Sequence, residues 1–190
     1  MAAARRSTPS NSGTSWREAA PQPLVLATGS DEYLIQRVRE SLRDQIREER
    51  GTCEVTLISA ADYAPGQLAV VTSPSLFDEP KLVCVTELSS MNENLLTDAL
   101  AYVKSPDPEV TVLWEHGGGN RGKKLLDALK EAALVVNCAP LKSDRDKSAF
   151  ILAEFKQHGK RIEPDAARAL AAAVGTSTAE LAAACAQLIS

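Results

Sequence analysis

The sequence predicts an α/β domain built on a doubly wound, five-stranded parallel sheet, followed by a small three-helix domain. Three observations carry that expectation. From Leu24 to Cys138, short continuous apolar runs alternate with helical patterns, as strands covered on both faces require. After Pro140 the pattern becomes helical throughout. A chain of 190 residues with 44% hydrophobic and 24% charged content can bury one good core and a smaller second one.

Taken in order, Leu24-Val25-Leu26-Ala27 reads as a short buried strand. Gly29-Ser30-Asp31-Glu32 opens a helix, with Ser30 as its N-cap and two acids suited to the positive end of the helix dipole. Leu34, Val38, Leu42 and Ile46 recur every four residues and give that helix one core-facing stripe. Cys53, Val55 and Leu57 mark a second strand, and Pro65-Gly66 begins a short helical stretch. A third strand, Leu82 to Val85, leads to a helix over Leu95–Val103, and a fourth covers Val110–Trp114. Lys123–Ala132 is a helix and Leu134–Cys138 the fifth strand. In the helical part, Ser143 caps a helix running to about His158, and Pro164 suits the first turn of the next, which runs to a Gly175 C-cap. Ser177 and Glu180 have capping-box spacing for a last helix through Leu188. The expected division is a disordered tail over 1–21, an α/β domain over 22–142 and a helical domain over 143–190. The chain stops directly after its last helix, which reads as a fragment of something longer.

Composition excludes several functions. A formal charge of −4 argues against a chain that grips nucleic acid unaided. Cys53, Cys84, Cys138 and Cys185 are widely separated, without CxxC pairs or neighbouring histidines, so no metal site is expected. Reduced cysteines in apolar runs fit a cytoplasmic protein. Arg5-Arg6 is followed by no apolar stretch, so export is not expected, and no run reaches membrane-spanning length.

The search for chemistry is mostly negative. Gly117-Gly118-Gly119-Asn120-Arg121-Gly122-Lys123-Lys124 satisfies GxxxxGK between a strand and a helix, but Lys124 stands where a magnesium-binding hydroxyl is needed. It also follows the fourth strand rather than an early one. A flexible turn with a basic edge (Arg121, Lys123, Lys124) explains it more simply. After the first strand, Thr28 to Gln36 holds one glycine, no lysine and two acids, a poor phosphate cradle. Glu87 and Glu115 are single acids at strand ends, where a magnesium site wants a pair. His116 lacks a nucleophile, and His158 reads as a helix-end surface residue. No cofactor is expected.

Ser73-Pro74-Ser75-Leu76-Phe77-Asp78-Glu79-Pro80 remains. Its Leu-Phe pair either tucks beneath the loop or projects as an anchor for a partner's apolar pocket, where a few such residues dominate affinity. The residues alone leave both readings open.

This string, followed by Lys81-Leu82-Val83-Cys84-Val85, resembles the delta subunit of the bacterial DNA polymerase III clamp loader. The likeness extends over Leu24-Val25-Leu26, Gly29 to Leu34, Gly122 to Leu129, Glu154-Phe155, Ile162 to Ala166 and Glu180-Leu181. It spans roughly residues 22–190, and the order and spacing of its pieces carry it rather than any single motif. The resemblance implies an AAA+-like fold without a working ATP site, acting within a DNA-directed DNA polymerase holoenzyme during replication. It implies that Leu76 and Phe77 enter a hydrophobic pocket on the sliding clamp, with Pro74 and Ser75 shaping the loop. Neighbouring loader subunits would hydrolyse ATP, and the opened ring would be placed on primed DNA. Family members also carry a third, helical collar domain, which this chain lacks; assembly into the full loader is therefore expected to be weakened. The competing readings are a P-loop or AAA+ ATPase using Gly117–Lys124 and a generic α/β interaction scaffold.

Overall fold

The computed structural model describes residues 13–75, 79–119, 122–174 and 177–190. Its elements are β1 (Thr14–Ser15), β2 (Leu24–Thr28), α1 (Glu32–Arg50), β3 (Glu54–Ser59), α2 (Gln67–Val71), β4 (Lys81–Thr86), α3 (Glu93–Lys104), β5 (Val110–His116), α4 (Lys123–Ala132), β6 (Leu134–Asn137), α5 (Asp144–Gln157), α6 (Pro164–Ala173) and α7 (Thr178–Ile189). The strands form one sheet in the order β1-β6-β2-β5-β4-β3, with every pairing parallel. β2 is central, paired to β5 on one side and β6 on the other, so the chain reverses its winding across β2. That is the doubly wound arrangement.

Strand alternation sorts the core into two layers. Leu26, Val85 and Trp114 share one face with Leu95, Leu125 and Leu129 of α3 and α4. Val25, Cys84 and Leu113 point the other way, toward the α1 side. There Val38 and Leu42 are fully buried and Ile46 nearly so, as their spacing requires. Such a residue cut to alanine costs about 2–5 kcal/mol.

Among the described residues the sheet has six strands rather than five: residues 13–21, expected to belong to a tail outside the fold, contribute the added edge strand, while residues 1–12 lie outside the described residues. Thr14 and Ser15 pair with Val136 and Asn137. Gly13 runs so close to β6 that a Cβ there would lie 2.7 Å from the Val135 carbonyl oxygen. Trp16 is buried with the Arg17 and Arg37 guanidinium groups 4.1 and 4.9 Å from its ring centroid. The Arg37 contact, with a hydrogen bond from Gln45 Nε2 to the Ala19 carbonyl, fastens the segment to α1.

The chain divides into two compact units. One holds residues up to Ser30 together with Ile35–Cys138, and the other holds Asp31–Leu34 with Ala139–Ser190. The boundary at Ala139 precedes the expected one at 143, because β6 ends at Asn137 and only Cys138 continues its hydrogen bonding, to the Thr28 carbonyl. In the second unit α5 packs on α6 and α7, burying Phe150, Ile151, Phe155, Ala167, Ala171 and Leu181. Ser143 and Ser177 cap α5 and α7 through their hydroxyls, and Pro164 opens α6. α6 ends at Ala173 with Val174 as its C-cap; Gly175 lies outside the described residues.

Candidate partner-binding site

The segment joining β3 to β4 is held at both ends. At its start, Tyr63 is buried; its hydroxyl donates to Asp98 Oδ2 at 2.7 Å and accepts from the Leu68 N–H at 2.9 Å. Asp98 also accepts from the Gly66 N–H. Burial pushes the Tyr63 hydroxyl up to about 12, so it remains protonated and able to donate. This network fixes the first turn of α2 against α3. Leu68 is the buried foot of that short helix, while Val70 is 71% exposed.

The far end is closed by main-chain ties. Thr72 and Ser73 hydroxyls donate to the Leu68 and Val70 carbonyls. Lys81, the first residue of β4, extends its ammonium to the Ser73 carbonyl at 2.7 Å and the Val71 carbonyl at 3.4 Å. Pro80 is buried, and its carbonyl accepts from the Glu54 N–H at 2.9 Å. Between these ties Pro74 is exposed and Ser75 half-buried. Leu76 and Phe77, the anchor pair singled out from the sequence, lie with Asp78 outside the described residues.

The two loops considered as phosphate sites are occupied by the protein's own groups. Asp31, not Ser30, caps α1: its Oδ1 accepts from the Leu34 N–H at 3.1 Å, and its other oxygen accepts from the Thr178 hydroxyl. The one-residue difference from expectation follows from the helix starting at Glu32, which places Asp31 at the cap position, where a carboxylate satisfies both the free N–H and the dipole. At the end of β5, His116 is buried and its Nδ1 accepts from the Gly118 N–H at 3.1 Å. Gly122 leads into α4 with a positive φ of 70°, and a Cβ there would come within 2.3 Å of Met91 Cε. Lys123 is paired with Asp127 at 2.8 Å. Lys124 is exposed, and Arg121 lies outside the described residues.

The single acids at strand ends are also engaged. Glu87 is exposed in a left-handed conformation (φ 58°) and accepts from the Ser59 hydroxyl. Glu115 is buried and meets the Arg39 guanidinium in a bidentate pair, with Nη2 at 2.7 and 2.9 Å from its two oxygens. Burial raises the Glu115 carboxyl above its ordinary range, and Arg39 opposes that rise. Cys84 sits beside the pair, its thiol pushed up to about 12 by burial and then by the Glu115 charge. Such a thiol is unreactive. Sequence reasoning identified Glu115 but not Arg39, which lies 76 positions away. Among the described residues no group of three or more His, Cys, Asp or Glu could hold a metal ion, and no helix is long and apolar enough to cross a membrane. His158 caps α5 at an exposed position, as expected.

No family model matches the sequence, and no curated protein matches it. Solved structures do. The DNA clamp loader delta protein of Bacillus subtilis (YqeN) superposes with a TM-score of 0.71 at 19% identity, over 88% of this chain and 52% of that one. Two mutant structures of Thermotoga maritima RuvB superpose with a TM-score of 0.50, at 12% and 13% identity, each over 87% of this chain. They are covered over 54% and 53% of their own length. This chain thus spans about half the length of the solved chains it resembles, and at these identities the likeness is one of fold. The chain has an AAA+-like fold, in the form that the Bacillus subtilis clamp loader delta protein carries.

Proposed function

We propose that this chain is a non-catalytic clamp-loader subunit that binds and opens a sliding clamp during DNA replication, as part of a DNA polymerase III holoenzyme in the cytoplasm. The observation that carries the reading is the backbone match to the clamp loader delta protein over 88% of the chain. In this proposal Leu76 and Phe77 enter an apolar pocket on the clamp, and Pro74 and Ser75 shape their approach. The firmly tied stem on either side and the exposed Val70 next to it support a docking role, because an anchored loop loses less entropy on binding. Other loader subunits are its partners and supply ATP hydrolysis. Primed DNA is met indirectly, with Arg121, Lys123 and Lys124 as a basic edge for phosphate contact.

The ATPase alternative is poorly supported by the same residues. It asks Gly118 and Lys123 to hold phosphates, while the one donates to His116 and the other pairs with Asp127. The Asp31 carboxylate fills the anion position at the start of α1.

The test is surface binding to the sliding clamp, comparing the wild type with a Leu76→Ala/Phe77→Ala double variant. Binding is expected to weaken by at least about 2 kcal/mol, the size of a buried hot spot. Equal affinity, with the fold intact, removes the anchor assignment.

A further inference from the structure

We infer that the open edge of β3 is a docking site for an extended segment of a protein partner, acidic where it passes the start of β3 and apolar where it passes Leu57. The inference goes beyond the clamp reading and does not depend on it. β3 is the last strand of the sheet, paired with β4 on one side only. That pairing runs residue for residue from Glu54 to Ser59, without a bulge. The Glu54 and Ala60 N–H groups donate to the Pro80 and Thr86 carbonyls. In a parallel ladder the alternate residues, Val55, Leu57 and Ser59, therefore direct their N–H and C=O groups outward. Among the described residues no backbone group pairs with that outward row. Edges are commonly shielded by proline, bulges, charged side chains or very short strands. The opposite edge, β1, has two residues. β3 has six, with Glu54 at its start as the one charged residue and no proline.

The flanking side chains specify what the added strand must carry. Leu57 lies beside Cys84 in the register, on the α1 side of the sheet, and is 57% exposed. Along α1, Arg39, Arg43 and Arg47 each follow a core residue (Val38, Leu42, Ile46) by one position. At about 100° per residue the three arginines share one flank of the helix, and Glu40, Asp44 and Glu48 lie further round, away from the core. That flank faces β4 and β3. Arg39 holds Glu115 beside Cys84. Arg47 and Arg43 lie close enough to Cys53, just before β3, to act on its thiol: burial raises it, and the two guanidinium groups oppose the rise. Arg43 is shared with Asp44, whereas Arg47 is exposed and has no ion-pair partner among the described residues. An acidic side chain on an added strand can meet Arg47, and an apolar one two residues along can cover Leu57. A second copy pairing antiparallel through β3 would instead set two such arginine rows side by side.

The probe is a fluorescent peptide, Glu-Thr-Glu-Thr-Val-Thr-Val, together with its reversed sequence, because an edge accepts either strand direction. In both, the glutamates and valines fall on one face. At least one of the two is expected to bind saturably to the whole chain, with the amides of Val55, Leu57 and Ser59 gaining exchange protection. Leu57→Pro removes only an outward N–H and should abolish binding. Arg47→Glu, which leaves the edge intact, should weaken it about tenfold, and lysines in place of the peptide's glutamates should weaken wild-type binding likewise. Leu76→Ala/Phe77→Ala should bind the peptide as the wild type does, which separates this test from that of the clamp reading. Failure of both peptides to bind, or binding that Leu57→Pro and Arg47→Glu leave unchanged, overturns the inference. So does self-association of the chain that Leu57→Pro abolishes, which would make a second copy the occupant.

Discussion

Two stretches of this molecule begin from the same situation, a loop leaving the carboxyl end of a strand or helix, and end differently. Around the ends of β2 and β5, polar groups that could face a ligand are turned on the protein itself. Asp31 caps its own helix, His116 accepts from Gly118, and Glu115 is clasped by Arg39. Between α2 and β4 the opposite holds. Among the described residues there, Lys81, Thr72 and Ser73 tie down the base of the loop, and Val70 stands exposed beside it. The contrast separates strand ends whose polar groups are turned inward from a segment whose described polar ties lie at its stem.

The largest expected effect probes the closed side. Arg39→Ala strands a buried carboxylate and should cost about 3–5 kcal/mol of stability in denaturant titrations. Its pH dependence carries a sign. Because the folded Glu115 pKa is raised, the folded state holds the proton more tightly than the unfolded state. The associated stability is full below the ordinary carboxylate range and is lost as pH rises through the folded value. Removing Arg39 takes away the opposing influence, so the variant should lose more stability than the wild type as pH rises from the ordinary carboxylate range through the folded value. A flat pH profile in the variant would show that Glu115 is not buried as described.

A smaller effect tests the start of α1. Asp31→Ala removes the cap and should cost about 1 kcal/mol in thermal or denaturant unfolding. It should not create nucleotide binding; tight binding of Mg-ATP by this variant would mean that Asp31 alone closes an otherwise working phosphate site. The smallest effect on folding belongs to the open side. Val70→Ser should change stability by no more than about 0.5 kcal/mol, yet weaken clamp binding measurably, though less than the Leu76→Ala/Phe77→Ala pair. Unchanged affinity would confine the contact surface to the loop itself.

Much of this fold was legible because its strands are continuous apolar runs and its first helix carries a four-residue stripe. Leu24 to Ala27 and Leu34 to Ile46 state their burial in their spacing. β1 was not legible, since two residues in a polar stretch give no periodicity, and the burial of Trp16 depends on Arg37 of a helix that follows in sequence. The one local clue was a lone tryptophan in an otherwise polar segment. The helix cap was displaced by a single residue because Ser30 and Asp31 are both good caps, and only the register of α1 chooses between them. The Leu-Phe pair drew notice through its setting, bracketed by prolines. Arg39 and Lys81 did not, because each acts across tertiary distance on a partner that no sequence spacing encodes.

The contrast between the closed and open regions is tested most directly by measuring clamp affinity with and without Mg-ATP. The account predicts that the isolated chain binds the sliding clamp, that nucleotide leaves the affinity unchanged, and that Lys123→Ala behaves as the wild type. Clamp binding that requires Mg-ATP and disappears in Lys123→Ala would contradict it, returning the Gly117–Lys124 loop to the centre of the molecule's function.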